Sequence, residues 1–533
     1  MKKGVAGYLT ASFIGSPLTP LLLLASLGLG LIALLSIPRE EEPQISVPMV
    51  DIMVRADGLR APNAVELVTK PLEAIVTGIG GVEHVYSQSD DDRVLVTARF
   101  AVGTDADDAI VRIHEKVRAN MDRIPIGIPE PLIVGRGIND VAVMVLTLSP
   151  QPGEGAGRWT QDALYNVAEE LRSELASVTD VGLTYLVGGA PDQIRVEPDP
   201  EALALYGVTL QQLVGKIQAA NRAFPAGRVM GADGAWSVVA GQTLAGAQDI
   251  GLLLLTTRDE RPVYVRDVAN VAIGAAPPDS RAWALTRPEA AGEAAGWARA
   301  PAVSIAVAKR EGANAVQVSR RVAARLDLLR GPLVPEGLTV TVTRDYGATA
   351  NEKANELLFH LALATLSIVI LVAVLIGWRE GLVVLAVIPA TILLTLFASN
   401  LMGYTINRVS LFALIFSIGI LVDDAIVVIE NIARHWAMED GRPRAAAAID
   451  AVAEVGNPTL VATLTVIAAL LPMLFVSGLM GPYMAPIPIN ASAAMAFSFF
   501  VAVILTPWLM LRTAGRRAFA GGEAGHGAGH DGG

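Results

Sequence analysis

The sequence predicts an α+β membrane protein: a six-helix bundle in the bilayer and, outside it, two layers of βαββαβ order interrupted by an insertion. Three observations lead there. Six apolar runs are each close to the ~20 residues that carry a helix across ~30 Å of hydrocarbon. One long polar segment, from about residue 39 to 354, separates the first run from the other five. Within that segment one order of strand and helix signals occurs twice. Composition agrees, with 52% of 533 residues apolar, 17% charged and a pI near 5.2, values that suit a membrane protein and exclude the basic surface of a nucleic-acid binder. The chain holds no cysteine, so disulfides, thiolate metal sites and cysteine nucleophiles are excluded.

In chain order, Met1, Lys2, Lys3 and a short mixed stretch lead to the first apolar run, about Leu18 to Ile37, ended by Pro38, Arg39 and Glu40. This exceeds a signal-peptide core and no small-residue cleavage site follows cleanly, so it reads as an uncleaved span. In the polar segment, ISVPMVDIMV (Ile45 to Val54) alternates as a strand does, Pro62 to Thr77 reads as a helix, and Val82 to Ser89 and Arg93 to Phe100 read as strands across Asp90, Asp91 and Asp92. Ala106 to Met121 is an amphipathic helix and Pro131 to Val134 closes the set. The order resumes with the strand Val141 to Leu148, the helix Ala163 to Ser177 and the strand Val181 to Val187, and later with the strand Ala302 to Ala308, the helix Asn314 to Leu329 and the strand Leu338 to Thr343. These are two split βαβ units of ferredoxin-like type. The insertion, about Ile194 to Arg281, contains a helix (Leu210 to Asn221), a glycine-rich loop (Ala226 to Gly241) and a strand pair around Val263 to Ile273.

The remaining spans read as Leu357 to Gly377, Leu382 to Met402, Val409 to Ile432, Pro458 to Gly478 and Ile489 to Leu511. Alternating their direction puts Lys2, Lys3, Arg379, Arg434, Arg442, Arg444, Arg512, Arg516 and Arg517 on one side, with only Arg408 in the short loops opposite. The basic side is cytoplasmic, so the long polar segment faces out. Pro389, Pro472 and Pro507 read as tolerated kinks. The acidic run Asp105, Asp107 and Asp108 reads as a solvated first helical turn. His84 and His114 have no partner at ligand spacing, and His526 and His530 in the glycine-rich tail are a weak metal signal.

The chemistry lies in the run Val409 to Arg434. Asp423 and Asp424 stand near its middle, where one carboxylate costs on the order of 3 kcal/mol on insertion scales, so such residues face a bundle interior and serve a pathway or relay. Every seventh residue gives the line Ser410, Ser417, Asp424 and Asn431, with Asp423 and Glu430 beside it. Small polar residues would pin helix packing more cheaply. A protease dyad needs two carboxyls converging on one water, whereas neighbours on one helix point roughly 100° apart.

The stretch GILVDDAIVVIENIARH resembles the fourth transmembrane helix of the resistance-nodulation-division (RND) exporters, whose paired aspartates carry protons in drug/proton antiport, and the similarity runs along nearly the whole chain. The double aspartate resembles the hydrophobe/amphiphile branch more than the heavy-metal branch, where the second position is usually small and apolar. The resemblance implies a secondary active transporter rather than an enzyme, needing no cofactor, in the bacterial inner membrane. Asp423 and Asp424 would be its proton relay. It implies a homotrimer working with a periplasmic adaptor and an outer-membrane channel, driven by proton motive force, on amphiphilic or hydrophobic compounds. It divides the chain into a first span with its cytoplasmic N-terminus (1–38), a first porter subdomain (39–136), a second, split porter subdomain (137–193 and 282–350), a docking subdomain (194–281), spans two to six (351–512) and a flexible cytoplasmic tail (513–533).

The family's docking arm corresponds to AGRVMGADGAWSVVAG, with Gly231, Asp233 and Trp236 as contact residues, and is several residues shorter here than in long-armed drug exporters. Drug exporters line the deep pocket of the second porter subdomain with phenylalanines. Two matching positions here are Val141 and Val187, with only Tyr185 aromatic nearby, which implies aliphatic or lipid-like cargo rather than planar dyes. In the family a lysine from a second half pairs with the aspartates, and none of these spans contains a lysine. The chain is therefore expected to be the N-terminal half of a tandem repeat, a fragment cut in the linker rather than a half-size subunit. Two other functions stay open: a superfamily relative that moves lipids or aids protein export, and a membrane-anchored periplasmic binding or sensing module, which would leave the aspartates without a role.

Overall fold

Six helices among the described residues are long and apolar enough to cross a membrane: Leu18–Ser36, Tyr346–Leu375, Trp378–Leu401, Arg408–Ala437, Arg444–Phe475 and Met480–Thr513. The computed structural model describes residues 4–43, 47–125, 127–137, 140–151, 156–231, 234–242, 244–258, 260–278, 280–286, 297–438, 441–478 and 480–513. Each helix contains one predicted apolar run, and the differences lie at the ends. The second span begins at Tyr346 rather than Leu357, because Asp345 caps it by accepting from the Ala348 amide at 2.8 Å. About three turns carrying Asn351, Glu352, Lys353, Asn355 and Glu356 therefore stand before its apolar part. The fifth begins at Arg444 rather than Pro458, with Pro458 inside the helix.

A helix that periodicity does not reveal, Gly4–Phe13, precedes the first span. Its buried face is small, made of Ala6, Gly7 and Thr10. A Cβ added at Gly456 would lie 2.2 Å from the Ala6 Cβ, and the Thr10 hydroxyl donates to the Val503 carbonyl at 2.7 Å. The helix is thus seated on the fifth and sixth spans. Within the bundle the fourth span packs on the sixth and fifth, and the third on the first and sixth. Val383, Val384, Ile418, Val428, Ile432, Phe499 and Ala502 belong to the buried core they share.

In the polar segment, β1 (Met49–Arg55), β2 (Val82–Asp90), β3 (Arg93–Phe100) and β4 (Leu132–Arg136) form one antiparallel sheet in the order β2-β3-β1-β4. Alternate residues Val50, Ile52, Val54, Val94 and Val96 turn to a core shared with Leu72 and Ile113 of the helices Lys70–Thr77 and Ala106–Ala119. The helix predicted over Pro62 to Thr77 is broken into Ala61–Ala64, a π-helical turn Val65–Thr69 and Lys70–Thr77. Asp105 caps its helix, accepting from the amides of Asp107 and Asp108, as a solvated first turn requires.

β5 (Ala142–Pro150) and β6 (Val181–Val187) open the second sheet, and the insertion carries β7 (Asp192–Pro198), β8 (Arg222–Gly231), β9 (Gly234–Gln242), β10 (Leu254–Arg258), β11 (Arg261–Tyr264) and β12 (Ala269–Ala275). β13 (Ala282–Thr286), β14 (Ala298–Lys309) and β15 (Leu338–Asp345) complete the second sheet. Its order is β6-β14-β5-β15, and β13 shares with β6 one edge of β14, along Ala298–Ala302. Met144, Leu146 and Leu148 meet Val303, Ile305, Leu171 and Val322 beneath the helices Gln161–Ala176 and Ala315–Leu333. Two expectations in the insertion are corrected. The stretch Ala226 to Gly241 is a paired hairpin of β8 with β9, not a loop, because Gly231 faces Gly234 and Val229 faces Trp236 in one register. The strands around Val263 to Ile273 do not pair with each other: β11 pairs β10, and β12 returns to β7. His84 and His114 are exposed, no group of three metal-ligating side chains occurs among the described residues, and the tail with His526 and His530 lies outside them.

Candidate functional site: the carboxylates of the fourth span

The fourth span is fixed at its first turn by a reciprocal cap. Asn407 Oδ1 accepts from the Ser410 amide and Ser410 Oγ accepts from the Asn407 amide, both at 2.9 Å. From there the line of every seventh residue turns inward. Ser410 and Ser417 are buried, Asp424 is half-buried and Asn431 is buried, donating through Nδ2 to the Ala451 carbonyl at 2.8 Å. Asp424 faces the sixth span, where the buried Ser498 hydrogen-bonds its carboxyl group. Asp423 and Glu430 lie exposed on this chain, on a face shared with Phe412, Phe416 and Val427.

The two carboxyls therefore occupy different surroundings, one within the bundle and one at its edge, and do not converge as a protease dyad would. A carboxylate only accepts hydrogen bonds, whereas a carboxylic acid also donates. A protonated Asp424 would therefore offer the sixth span a donor where the carboxylate offers only acceptors.

At the other end of the same helix lies a cluster that the sequence did not single out. Glu454 of the fifth span pairs with Arg434 Nη2 at 2.7 Å and His435 Nε2 at 2.8 Å, and reaches Asn431 at 3.5 Å. This ties the fourth span to the fifth. Three arginines on the predicted cytoplasmic side lie over tryptophans: Arg379 over Trp378 at 5.3 Å, Arg444 over Trp436 at 5.4 Å and Arg512 over Trp508 at 5.1 Å. Tryptophans at span ends belong at a membrane interface, a signal available in the sequence.

Of the predicted pocket residues, Tyr185 and Val187 lie exposed on one face of β6, with Leu183 beside them. Their β14 partners are Ala306 and Ser304, and Thr147 bonds both Ser304 at 2.9 Å and Thr343 at 3.0 Å. The open sheet face is thus apolar at one edge and lined with hydroxyls beyond it. Val141 is exposed just before β5, about 20 Å along the strand direction from the level of Thr147 and Val187. The structure brings Tyr185 and Val187 together and leaves Val141 apart. Gly231 and Trp236 sit exposed at the end of the β8–β9 hairpin with Val229 and Met230, and Asp233 lies outside the described residues.

A family model described as the AcrB/AcrD/AcrF family matches residues 10–516. The multidrug resistance protein MdtC of Edwardsiella ictaluri is 30% identical over 516 residues, covering 96% of this chain and 48% of that protein. Its namesake in Yersinia pseudotuberculosis is 29% identical over 508 residues, covering 94% and 48%. The chain spans about half the length of the curated relatives it matches.

Proposed function

The chain belongs to the AcrB/AcrD/AcrF family, and from that premise we propose that it is the proton-handling part of an RND exporter that moves amphiphilic or hydrophobic compounds out of the periplasm or membrane by proton antiport. The observation that carries this reading is the pair Asp423 and Asp424 at mid-span, one held by Ser498 and the other on an open face. A carboxylate facing lipid would cost on the order of 3 kcal/mol. A second six-helix bundle bearing a cation is the partner that this face calls for.

In this reading the two sheets are ferredoxin-like porter subdomains in the periplasm, the insertion 194–281 is the docking subdomain, and the β8–β9 hairpin is the arm that grips a neighbour in a homotrimer. A periplasmic adaptor and an outer-membrane channel complete the path. Aliphatic or lipid-like cargo fits the open face at Tyr185 and Val187, which gains from apolar area, about 25 cal/mol per Å2, more than from ring stacking. Expressed from its natural gene in a sensitised host, the protein protects against aliphatic amphiphiles more than against planar dyes. Strong dye protection with none against aliphatic compounds would contradict the cargo assignment.

Orientation is tested separately. A phosphatase reporter at Gly234 is active outside the cytoplasm and one at Gly441 is inactive, as the arginine side and its tryptophans require. An active reporter at Gly441 would overturn the span assignment. For assembly, native mass measurement in mild detergent returns a trimer, and Trp236→Ala with Met230→Ala shifts it toward monomer, since both side chains stand exposed on the short hairpin. A monomer before mutation would remove the arm from the proposal.

A further inference from the structure

Two contacts among the described residues join the second sheet to the bundle directly, at a chain junction and at an ion pair. At the first, β15 runs without a break into the second span, and Asp345, the residue at that junction, accepts from Ser319 Oγ at 2.6 Å. At the second, Lys309, the last residue of β14, places Nζ 2.9 Å from Glu40 Oε1, just past the first span. The side chains of this ion pair are only 9% and 5% exposed. The Lys309 ammonium makes no well-directed hydrogen bond among the described residues, so the charge of Glu40 is what compensates it. Loss of Glu40 would therefore leave it buried and alone, a state far costlier than the intact pair.

Glu40 in turn is strapped to the entrance of the fourth span. Its amide donates to the Ile406 carbonyl and the Ile406 amide donates to the Pro38 carbonyl, both at 2.9 Å. Arg39 and Ile406 form a parallel bridge, and Arg39 Nη1 reaches Asn351 at 3.0 Å and Asn355 at 3.1 Å on the second span. Ile406 immediately precedes Asn407, the residue that caps the aspartate helix. The run from β14 through Lys309, Glu40, Ile406 and Asn407 is thus a chain of short contacts ending on the helix of Asp423 and Asp424.

We propose that the buried Glu40–Lys309 pair is the joint that couples the second sheet to the fourth span, so that both residues position the aspartate helix against the cargo-binding layer; this rests on the transport reading above. The sheet already has a covalent attachment to the second span through β15. The ion pair is an attachment that leads to the fourth.

These 533 residues hold no cysteine, so spin labels are placed at chosen positions here once any cysteine elsewhere in the full-length gene product is replaced. Labels at Thr341→Cys and at Ala437→Cys, the exposed last residue of the fourth span, report the separation of sheet and fourth span. With Glu40→Gln the distance distribution broadens. In proteoliposomes, substrate export falls at least about tenfold while proton uptake stays within about threefold, in the range of energetic coupling between sites. The exchanged pair Glu40→Lys/Lys309→Glu restores both. Because Glu40→Gln leaves an unpaired buried ammonium that can block folding, the neutral pair Glu40→Gln/Lys309→Met is measured beside it with the same expectation.

An unchanged distance distribution with export intact would overturn the joint. So would a parallel fall of proton and substrate fluxes, which marks a merely structural contact. The functional reading fails on a different result, export that survives Asp424→Asn, and the distance measurement still decides the joint in that case.

Discussion

Export driven by a proton gradient falls to background in Asp424→Asn and in Asp423→Asn, while both variants insert and accumulate as the unmodified protein does. Asparagine keeps the shape of the side chain and, at position 424, an acceptor for Ser498, but it does not titrate. It also removes a charge from mid-span, so stability is not lost. A proton crossing the field contributes about 2.3 kcal/mol per 100 mV, which for one proton per cycle is roughly a 50-fold accumulation ratio. That ratio is what each variant forfeits. Energised vesicles loaded with a fluorescent amphiphile measure it, and transport retained by both variants would end the relay assignment.

Gly30→Leu prevents the first span from docking on the third. A Cβ at Gly30 would lie 2.2 Å from the Leu393 Cβ and 2.7 Å from the Leu393 carbonyl group, so the two backbones touch only because this residue has no side chain. Overfilling such a contact costs about 1–3 kcal/mol or more. Gly28 sits half a turn away with nothing within 4 Å of its would-be Cβ, which makes Gly28→Leu the matched control. Membrane abundance and the midpoint of thermal aggregation fall for Gly30→Leu and hold for Gly28→Leu. Equal behaviour of the two variants would show that the first and third spans do not pack this way.

The spans were legible because hydrocarbon demands long apolar helices, and the line Ser410, Ser417, Asp424 and Asn431 because a helix repeats nearly every seven residues. Their ends were less so. Polarity at Asn351, Glu352 and Lys353 stops a hydropathy run without stopping a helix, and Pro458 suggested a start where the fifth span merely continues. Ser498 and Glu454 escaped notice because they lie on other helices, and which faces meet is decided by packing rather than by period. The helix Gly4–Phe13 escaped for a related reason: its buried face is Ala6, Gly7 and Thr10, chosen for closeness and not for hydrophobicity. Tyr185 and Val187 share a face of β6 because residues two apart on a strand do, but the level of Val141 depends on a register that no local signal records.

That first helix also sets a schedule for making the protein. Thr10 leaves the ribosome 493 residues before the carbonyl of Val503 to which it bonds. At about 5–20 residues per second the wait is about 25–100 s. Gly456, whose missing side chain admits Ala6, arrives earlier on the same clock but still after four spans have been threaded. Until then the small-residue face of Gly4–Phe13 lacks the two contacts, at Gly456 and Val503, that seat it on the fifth and sixth spans. A chain that stops short of Val503 therefore lacks the carbonyl that latches Gly4–Phe13 to the sixth span.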